Sequence, residues 1–142
     1  EPLRIVLATS CDCERGAGGI DLSAGMLRQA ELTGAYRSLL VATLGQPLPI
    51  TTDAYDAVVA CGVLTTGHAP AGCLPELCRI TRRGGMIVFT LRDDEPVAGY
   101  AETLATLSTG GRWTELERGG PFASMPQSHP HVRNRVLAFR VH

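Results

Sequence analysis

The chain has 142 residues, 44% of them hydrophobic, a length and composition typical of one globular domain. Its formal net charge of −1 lacks the basic excess of nucleic-acid-binding proteins and polybasic membrane surfaces, so the charge disfavours both kinds of partner. All thirteen basic residues are arginine, which excludes chemistry that needs a lysine amine, such as Schiff-base formation.

The first part of the chain alternates between predicted strands and a predicted helix. The run LRIVLA is apolar and short, which is typical of a buried strand. Ser23 is a suitable N-cap for the helix that follows, and Gly34 is a suitable stop signal. In chain order, this part predicts strands at 3–8, 19–21 and 36–44, with a helix at 24–34 between the last two.

The second part of the chain continues the alternation and then ends in strands. The run YDAVVACGVL has the continuous apolar centre of a strand covered on both faces. The segment RRGG at 82–85 predicts a tight turn before the next apolar strand. We expect strands at 55–64, 86–91, 113–122 and 132–142, and helices at 73–81 and 99–111.

This order of elements predicts an α/β fold in one domain spanning 1–142. Alternating strands and helices favour a mostly parallel sheet with helices on both faces. No helix separates the last two strands, so we expect them to form an antiparallel edge at the C-terminal side. The chain begins with Glu1 rather than Met, so it is also compatible with an N-terminally incomplete domain.

The cysteine pattern favours a reducing, cytoplasmic location. Five cysteines at irregular spacing make a poor disulfide framework. No apolar run approaches the roughly 20 residues that span a bilayer, and no signal-peptide pattern is present. Cys11 and Cys13 are not spaced as a CxxC pair, and His129 and His131 lack further ligands at a recognisable spacing. We therefore predict no metal site.

Asp21 stands where a predicted strand meets a predicted helix. Ligands of open α/β sheets bind at the carboxyl ends of the strands, where a carboxylate can accept two hydrogen bonds from a ribose diol. The alternative is structural, because an acid before a helix can cap it and complement its dipole. Position alone leaves both interpretations open.

Three segments together resemble the class I S-adenosylmethionine-dependent methyltransferases. They are GIDLSAGMLRQA, LPITTDAYDAVVACGVL and LPELCRITRRGGMIVFT, and the resemblance covers roughly residues 19 to 110. It implies a Rossmann-like fold, S-adenosylmethionine as cofactor, and a small molecule or a protein as methyl acceptor. It implies no dedicated catalytic side chain, because such enzymes work mainly by positioning the acceptor in line with the methyl group.

The resemblance also implies roles for individual residues. Asp21 corresponds to the acid that binds the cofactor ribose, and Leu22 to a residue packed against the adenine. Thr43 stands where the family usually has an acid for the adenine amino group, with Leu44 beside it as an apolar wall. Cys61, Gly62 and Val63 stand at the end of the fourth predicted strand, where the family lines the methionine moiety and the substrate entrance.

Several of these residues could instead have a purely structural role. Leu22 and Leu44 could be core residues, and Cys61 could be a small buried residue, since free cysteine packs like an apolar group. For His68, in the loop beyond the fourth predicted strand, we favour a solvated loop residue over a base.

The first motif of the family is missing. The family has a glycine-rich turn after its first strand and then a full helix, whereas only about ten residues separate the first two predicted strands here. A parallel crossover needs a dozen residues or more, so the first βαβ unit is truncated and its helix is short or absent. Gly16 and Gly18 could imitate part of the turn or merely lead into the second strand.

Two functions remain after these observations. The first is an S-adenosylmethionine-dependent methyltransferase, and the second is a catalytically inactive methyltransferase-like module that binds or scaffolds. A dinucleotide enzyme predicts GxGxxG after the first strand, and the sequence has none there.

Overall fold

The structure of the protein, a computed structural model, describes the backbone of residues 5–8 and all of residues 16–142. The predictions for Cys11 and Cys13 lie outside these residues. The elements are β1 (Ile5–Ala8), β2 (Ala17–Asp21), α1 (Ala24–Leu32), β3 (Tyr36–Val41), β4 (Tyr55–Leu64), α2 (Cys73–Ile80), β5 (Thr81–Arg92), α3 (Tyr100–Thr109), β6 (Trp113–Arg118), β7 (Phe122–Ala123) and β8 (Arg133–Val141). Among these described helices, none is long and apolar enough to cross a membrane.

The sheet has the order β3-β2-β1-β4-β5-β8-β6, with β7 paired to β8. The pairs β2–β3 and β4–β5 are parallel, and β8 pairs antiparallel with both β5 and β6. The predicted α/β sheet with an antiparallel C-terminal edge is therefore confirmed. One strand departs from the expected direction, because β1 pairs antiparallel with both of its neighbours, β2 and β4.

The length of the chain between β1 and β2 accounts for this reversal. Residues 9–16 are the only connection between the two strands. Parallel neighbours need a crossover of a dozen or more residues, whereas antiparallel neighbours can be joined by a short loop. The short segment therefore forces β1 to run against the strands on either side of it.

Helices lie on both faces of the sheet, as predicted. In β3, Leu39 packs with α1, while the next residue, Leu40, faces the main core on the other side. That main core takes its helical residues from α2 and α3. It also contains the stacked rings of Phe89, Trp113 and Phe139, with a centroid distance of 4.0 Å between the last two.

The face that carries α1 is covered only near β3. Met86 of β5 and Val136 of β8 point to this face and are 36% and 38% exposed. Residues 82–85 form part of β5, so the prediction of a tight turn there is wrong. Gly84 has a φ of +76° there, and a Cβ on Gly85 would lie 2.6 Å from the carbonyl oxygen of Asp56. Two glycines thus let an irregular strand continue beside β4.

A clamp from α2 holds the loop between β3 and β4. Arg79 donates from Nε to Glu76 Oε2 at 2.8 Å and from Nη1 to the Ile50 carbonyl at 2.8 Å. Glu76 Oε1 also accepts from the backbone N–H of Leu48 at 2.8 Å. These bonds satisfy loop backbone groups that have no regular partner, and they fix the segment that leads from the end of β3 back to β4.

The substitution Glu76→Gln tests this clamp through its pH dependence. Hydrogen bonding from Arg79 lowers the pKa of the Glu76 carboxyl below its ordinary value. A carboxyl with a depressed pKa stabilises the fold above its unfolded pKa, and that contribution is lost as pH falls through the folded value. We expect Glu76→Gln to lower the melting temperature most near neutral pH, and the difference to shrink below about pH 4.

Thermal unfolding followed by circular dichroism across this pH range measures the effect. Glu117→Gln, on exposed β6, is the control and should show no comparable pH-dependent difference. A Glu76→Gln effect that is the same at all pH values would contradict the clamp.

Candidate functional site

A cavity of about 340 Å³ opens at the carboxyl ends of β2, β3 and β4. Three segments form its walls: the β2–α1 junction, the start of the loop after β3, and the end of β4 with its following loop. Its described lining residues are Ile20, Asp21, Leu22, Ser23, Met26, Thr43, Leu44, Val63, Gly67, His68 and Ala69. This is the edge of the sheet where open α/β folds bind ligands.

Asp21 has one oxygen engaged and one left over. Its Oδ1 accepts from the backbone N–H of Ser23 at 2.8 Å. Its Oδ2 is buried and has no hydrogen-bond partner among the described residues. The helix cap itself is Ser23, whose Oγ accepts from the N–H of Met26 at 3.3 Å. The capping interpretation of Asp21 thus explains one oxygen and leaves a buried acceptor for which a bound donor is the natural partner.

The wall after β3 touches the loop after β4. Gly45 has a φ of +95°, and a Cβ at this position would lie 2.5 Å from Cγ of Pro70. Only glycine combines that backbone conformation with such a close approach. The contact holds Thr43 and Leu44, just before Gly45, opposite the loop that carries His68 and Ala69.

The β4 loop is anchored from α3 as well. The Tyr100 hydroxyl donates to the Ala69 carbonyl at 2.8 Å, and the Ala69 N–H donates to the Val63 carbonyl at 3.1 Å. Burial raises the pKa of the Tyr100 hydroxyl, so it stays protonated and remains a donor. The cavity wall at Ala69 is therefore held on both sides of its peptide.

Five of the nine residues predicted for the cofactor lie in the cavity lining: Asp21, Leu22, Thr43, Leu44 and Val63. Leu22 is 67% exposed, so the core alternative does not hold for it. Leu44 is half-buried and packs against the main core as well as lining the cavity, which combines both interpretations.

The other four, Cys61, Gly62, Gly16 and Gly18, are not among the described lining residues. Cys61 is an exposed free thiol rather than a buried residue. The N–H of Gly62 instead donates to Thr90 Oγ1 at 2.9 Å, within the sheet. Gly16 and Gly18 lie toward the start of β2, the end farthest from Asp21, and the carboxyl end of the reversed β1 pairs there.

Sequence reasoning missed several contributors. Ser23 and Met26 were assigned only to the helix, and Gly67 and Ala69 only to a loop. The signal that could have found them is proximity in sequence to Asp21 and to the end of β4, since both strand ends meet at one edge of a parallel arrangement. His68 was assigned to solvent; it is exposed, yet it also lines the cavity.

The remaining candidate groups lie apart from the cavity. His129 and His131 have ring centroids 6.0 Å apart, and within residues 16–142 no cluster of three or more His, Cys, Asp or Glu could hold a metal. Cys73 and Cys78 are core residues, and their burial raises the pKa of both thiols to about 11. Both therefore have little thiolate character.

Comparison with known proteins identifies the family of this chain. A family model described as a methyltransferase domain matches residues 7–89, more than half of the chain. The human methyltransferase-like protein 27 is 40% identical over 103 residues, which is 69% of this chain and 42% of that protein. The chain thus spans less than half the length of this relative.

Solved structures support the fold. An S-adenosylmethionine-dependent methyltransferase from Mesorhizobium loti superposes with a TM-score of 0.64 at 16% identity, covering 87% of this chain and 79% of that one. Magnesium protoporphyrin IX methyltransferase from Synechocystis PCC 6803, solved with bound S-adenosylmethionine, has a TM-score of 0.61 at 16% identity, covering 88% of this chain and 59% of that one. The family match and the human relative carry the assignment further: the chain belongs to the class I S-adenosylmethionine-dependent methyltransferases.

Proposed function

We propose that this chain binds S-adenosylmethionine in the cavity beside Asp21 and transfers its methyl group to a small molecule or a protein. The observation that carries the proposal is the buried, unpartnered Oδ2 of Asp21 among the described residues. A ribose hydroxyl placed there supplies the missing donor, and a charge-assisted hydrogen bond of this kind contributes roughly 1.5–3 kcal/mol.

The rest of the lining suits the nucleoside part of this ligand. Leu22 and Leu44 offer apolar contact for the adenine ring, and the Thr43 hydroxyl can form a hydrogen bond with its polar edge. The cavity is at the lower end of the roughly 300–1,000 Å³ usual for small-molecule sites. When bound, the cofactor supplies an electrophilic methyl group. The residues of the chain bind the cofactor and orient it.

The methyl acceptor is a small molecule or a protein rather than a nucleic acid or a membrane lipid. The net charge of −1 offers no electrostatic footprint for phosphate backbones or anionic bilayers. The cysteine pattern favours a reducing, cytoplasmic setting for the reaction.

A second candidate function follows from the reversed β1. The family's glycine-rich turn follows a strand that ends at the cofactor, whereas Ala8, the end of β1, pairs with Ala17 and Ala57 at the other edge of the sheet. A chain that lost this contact could keep the fold and serve as a binding module without activity. Measured cofactor affinity separates the two functions.

Asp21→Asn tests the ribose assignment. Asparagine retains the oxygen that accepts from Ser23 but removes the charge, so the fold should persist while the ribose contact weakens. We expect calorimetric titration to show S-adenosylhomocysteine binding to the unmodified protein and a roughly 5- to 30-fold higher Kd for Asp21→Asn, the equivalent of about 1–2 kcal/mol.

Asp53→Asn is the matched control. Asp53 is an exposed residue outside the cavity with a φ of +58°, a conformation that asparagine tolerates. It should leave the Kd unchanged. An unmodified protein that shows no heat of binding, and no rise in melting temperature at millimolar S-adenosylhomocysteine, supports the scaffold function instead.

Thr43→Asp tests the adenine side of the cavity. A carboxylate is a stronger acceptor for the adenine amino group than a hydroxyl. We expect Thr43→Asp to tighten S-adenosylhomocysteine binding by roughly 5- to 10-fold, about 1 kcal/mol, whereas uncharged Thr43→Asn should gain little. Equal affinities of the two variants would place the adenine elsewhere.

A further inference from the structure

The cavity contains a second titratable side chain besides the carboxylate of Asp21. Among its described lining residues, Asp21 and His68 are the only ones with ionisable side chains. They stand on different elements: Asp21 ends β2, and His68 lies in the loop that follows β4.

The loop holds the His68 backbone in place. The His68 N–H donates to the Thr65 carbonyl at 3.1 Å and closes a turn. The neighbouring Ala69 is bonded through both its N–H and its carbonyl, to Val63 and to Tyr100. The next residue, Pro70, packs against Gly45. Because the loop backbone is held by these contacts, the imidazole of His68 is attached to a fixed point of the cavity wall.

Contacts at Nδ1 define the state of the ring. Nδ1 lies 3.0 Å from Thr65 Oγ1 and 3.3 Å from the Thr66 carbonyl oxygen. A carbonyl oxygen only accepts, so the contact with Thr66 is a hydrogen bond in the tautomer that carries the proton on Nδ1, which is the tautomer that a base acting through Nε2 needs. In the neutral ring the lone pair is then on Nε2, for which the described residues offer no hydrogen-bond partner.

Sheet geometry places His68 at the reactive end of the bound nucleoside. In the order β3-β2-β1-β4, strands β2 and β4 are two spacings apart, about 10 Å. A nucleoside held by its ribose at Asp21, with its base against Leu44 beyond β3, extends its other end toward β4. His68, in the loop that follows β4, lines the cavity from that side.

We infer that His68 is the general base of the transfer, and that the methyl acceptor is therefore a neutral O–H or N–H nucleophile; this rests on the proposed function. The acceptor oxygen or nitrogen forms a bond to the methyl carbon, and the carbon–sulfur bond breaks with its electron pair going to sulfur. The acceptor proton passes to Nε2 of His68. The products are the methylated acceptor, S-adenosylhomocysteine and a protonated imidazole.

The affinity ratio of two ligands tests the position of His68. S-adenosylmethionine carries a sulfonium charge that S-adenosylhomocysteine lacks. A base that reaches the acceptor atom lies roughly 6–7 Å from that charge, so its protonated form repels the sulfonium even at the dielectric of water. Between pH 7 and pH 5 we expect the ratio of the two dissociation constants, sulfonium over neutral ligand, to rise by roughly two- to three-fold by calorimetry.

Variants assign this pH dependence. His68→Gln should make the ratio flat, whereas His129→Gln, in an exposed loop outside the cavity, should leave the rise intact. Asp21 is unchanged in both variants, so its charge does not alter the comparison. If both ligands bind and His68→Gln shows the same rise as the unmodified protein, the inference is overturned while the proposed function stands. If neither ligand binds, both fall.

Probe acceptors test the role of the base. With radiolabelled S-adenosylmethionine, His68→Gln should lower methyl transfer to phenol by about 100-fold or more, yet leave transfer to thiophenol, already ionised near neutral pH, unchanged. Equal loss for both probes, or no loss for phenol, overturns the base. The affinity ratio decides the placement of His68 whether or not either probe is accepted.

Discussion

The length of the segment between β1 and β2 is the constraint on which the remaining architecture depends. Residues 9–16 cannot carry a parallel crossover, so β1 enters the sheet in the opposite direction. The amino end of β1, Ile5, then pairs with Ile20 and Ala60 near the cavity, while its carboxyl end lies at the far edge. Gly16 precedes β2 and is about 16 Å along the strand from Asp21, so it cannot form a turn over a ligand there.

This reversal changes where binding energy must come from. A family member with its glycine turn in place has backbone close to the cofactor on the β1 side, and here that role falls to the other walls. The one charge-assisted hydrogen bond that Asp21 Oδ2 can accept from a ribose hydroxyl contributes roughly 1.5–3 kcal/mol, which on its own corresponds to binding weaker than millimolar. Micromolar affinity for the proposed cofactor therefore requires apolar burial of the base against Leu22 and Leu44 as well.

The sequence predicted the elements well because local signals agree with the fold. Ser23 caps α1 as its residue type and position suggest, and the apolar run in β4 is a central strand between β1 and β5. The expected cover on both faces of β4 is found on one face only, because Val58 and Ala60 are buried whereas Val59 is half-buried and Cys61 is exposed. The direction of β1 was not predicted, although the short connection already excluded the parallel alternative. The continuation of β5 through Gly84 and Gly85 was also missed, since glycine pairs ordinarily signal turns and only the neighbouring backbone of β4 explains them.

For the site, the sequence located the strand ends but not the contacts between their loops. Asp21 and Thr43 are adjacent to strand ends and so could be predicted, whereas the approach of Gly45 to Pro70 joins two loops that are distant in sequence. That contact, with the bond from Tyr100 to Ala69, builds two of the three cavity walls from the part of the chain after β3. The β1–β2 connection and the wall that carries His68 are therefore structurally separate.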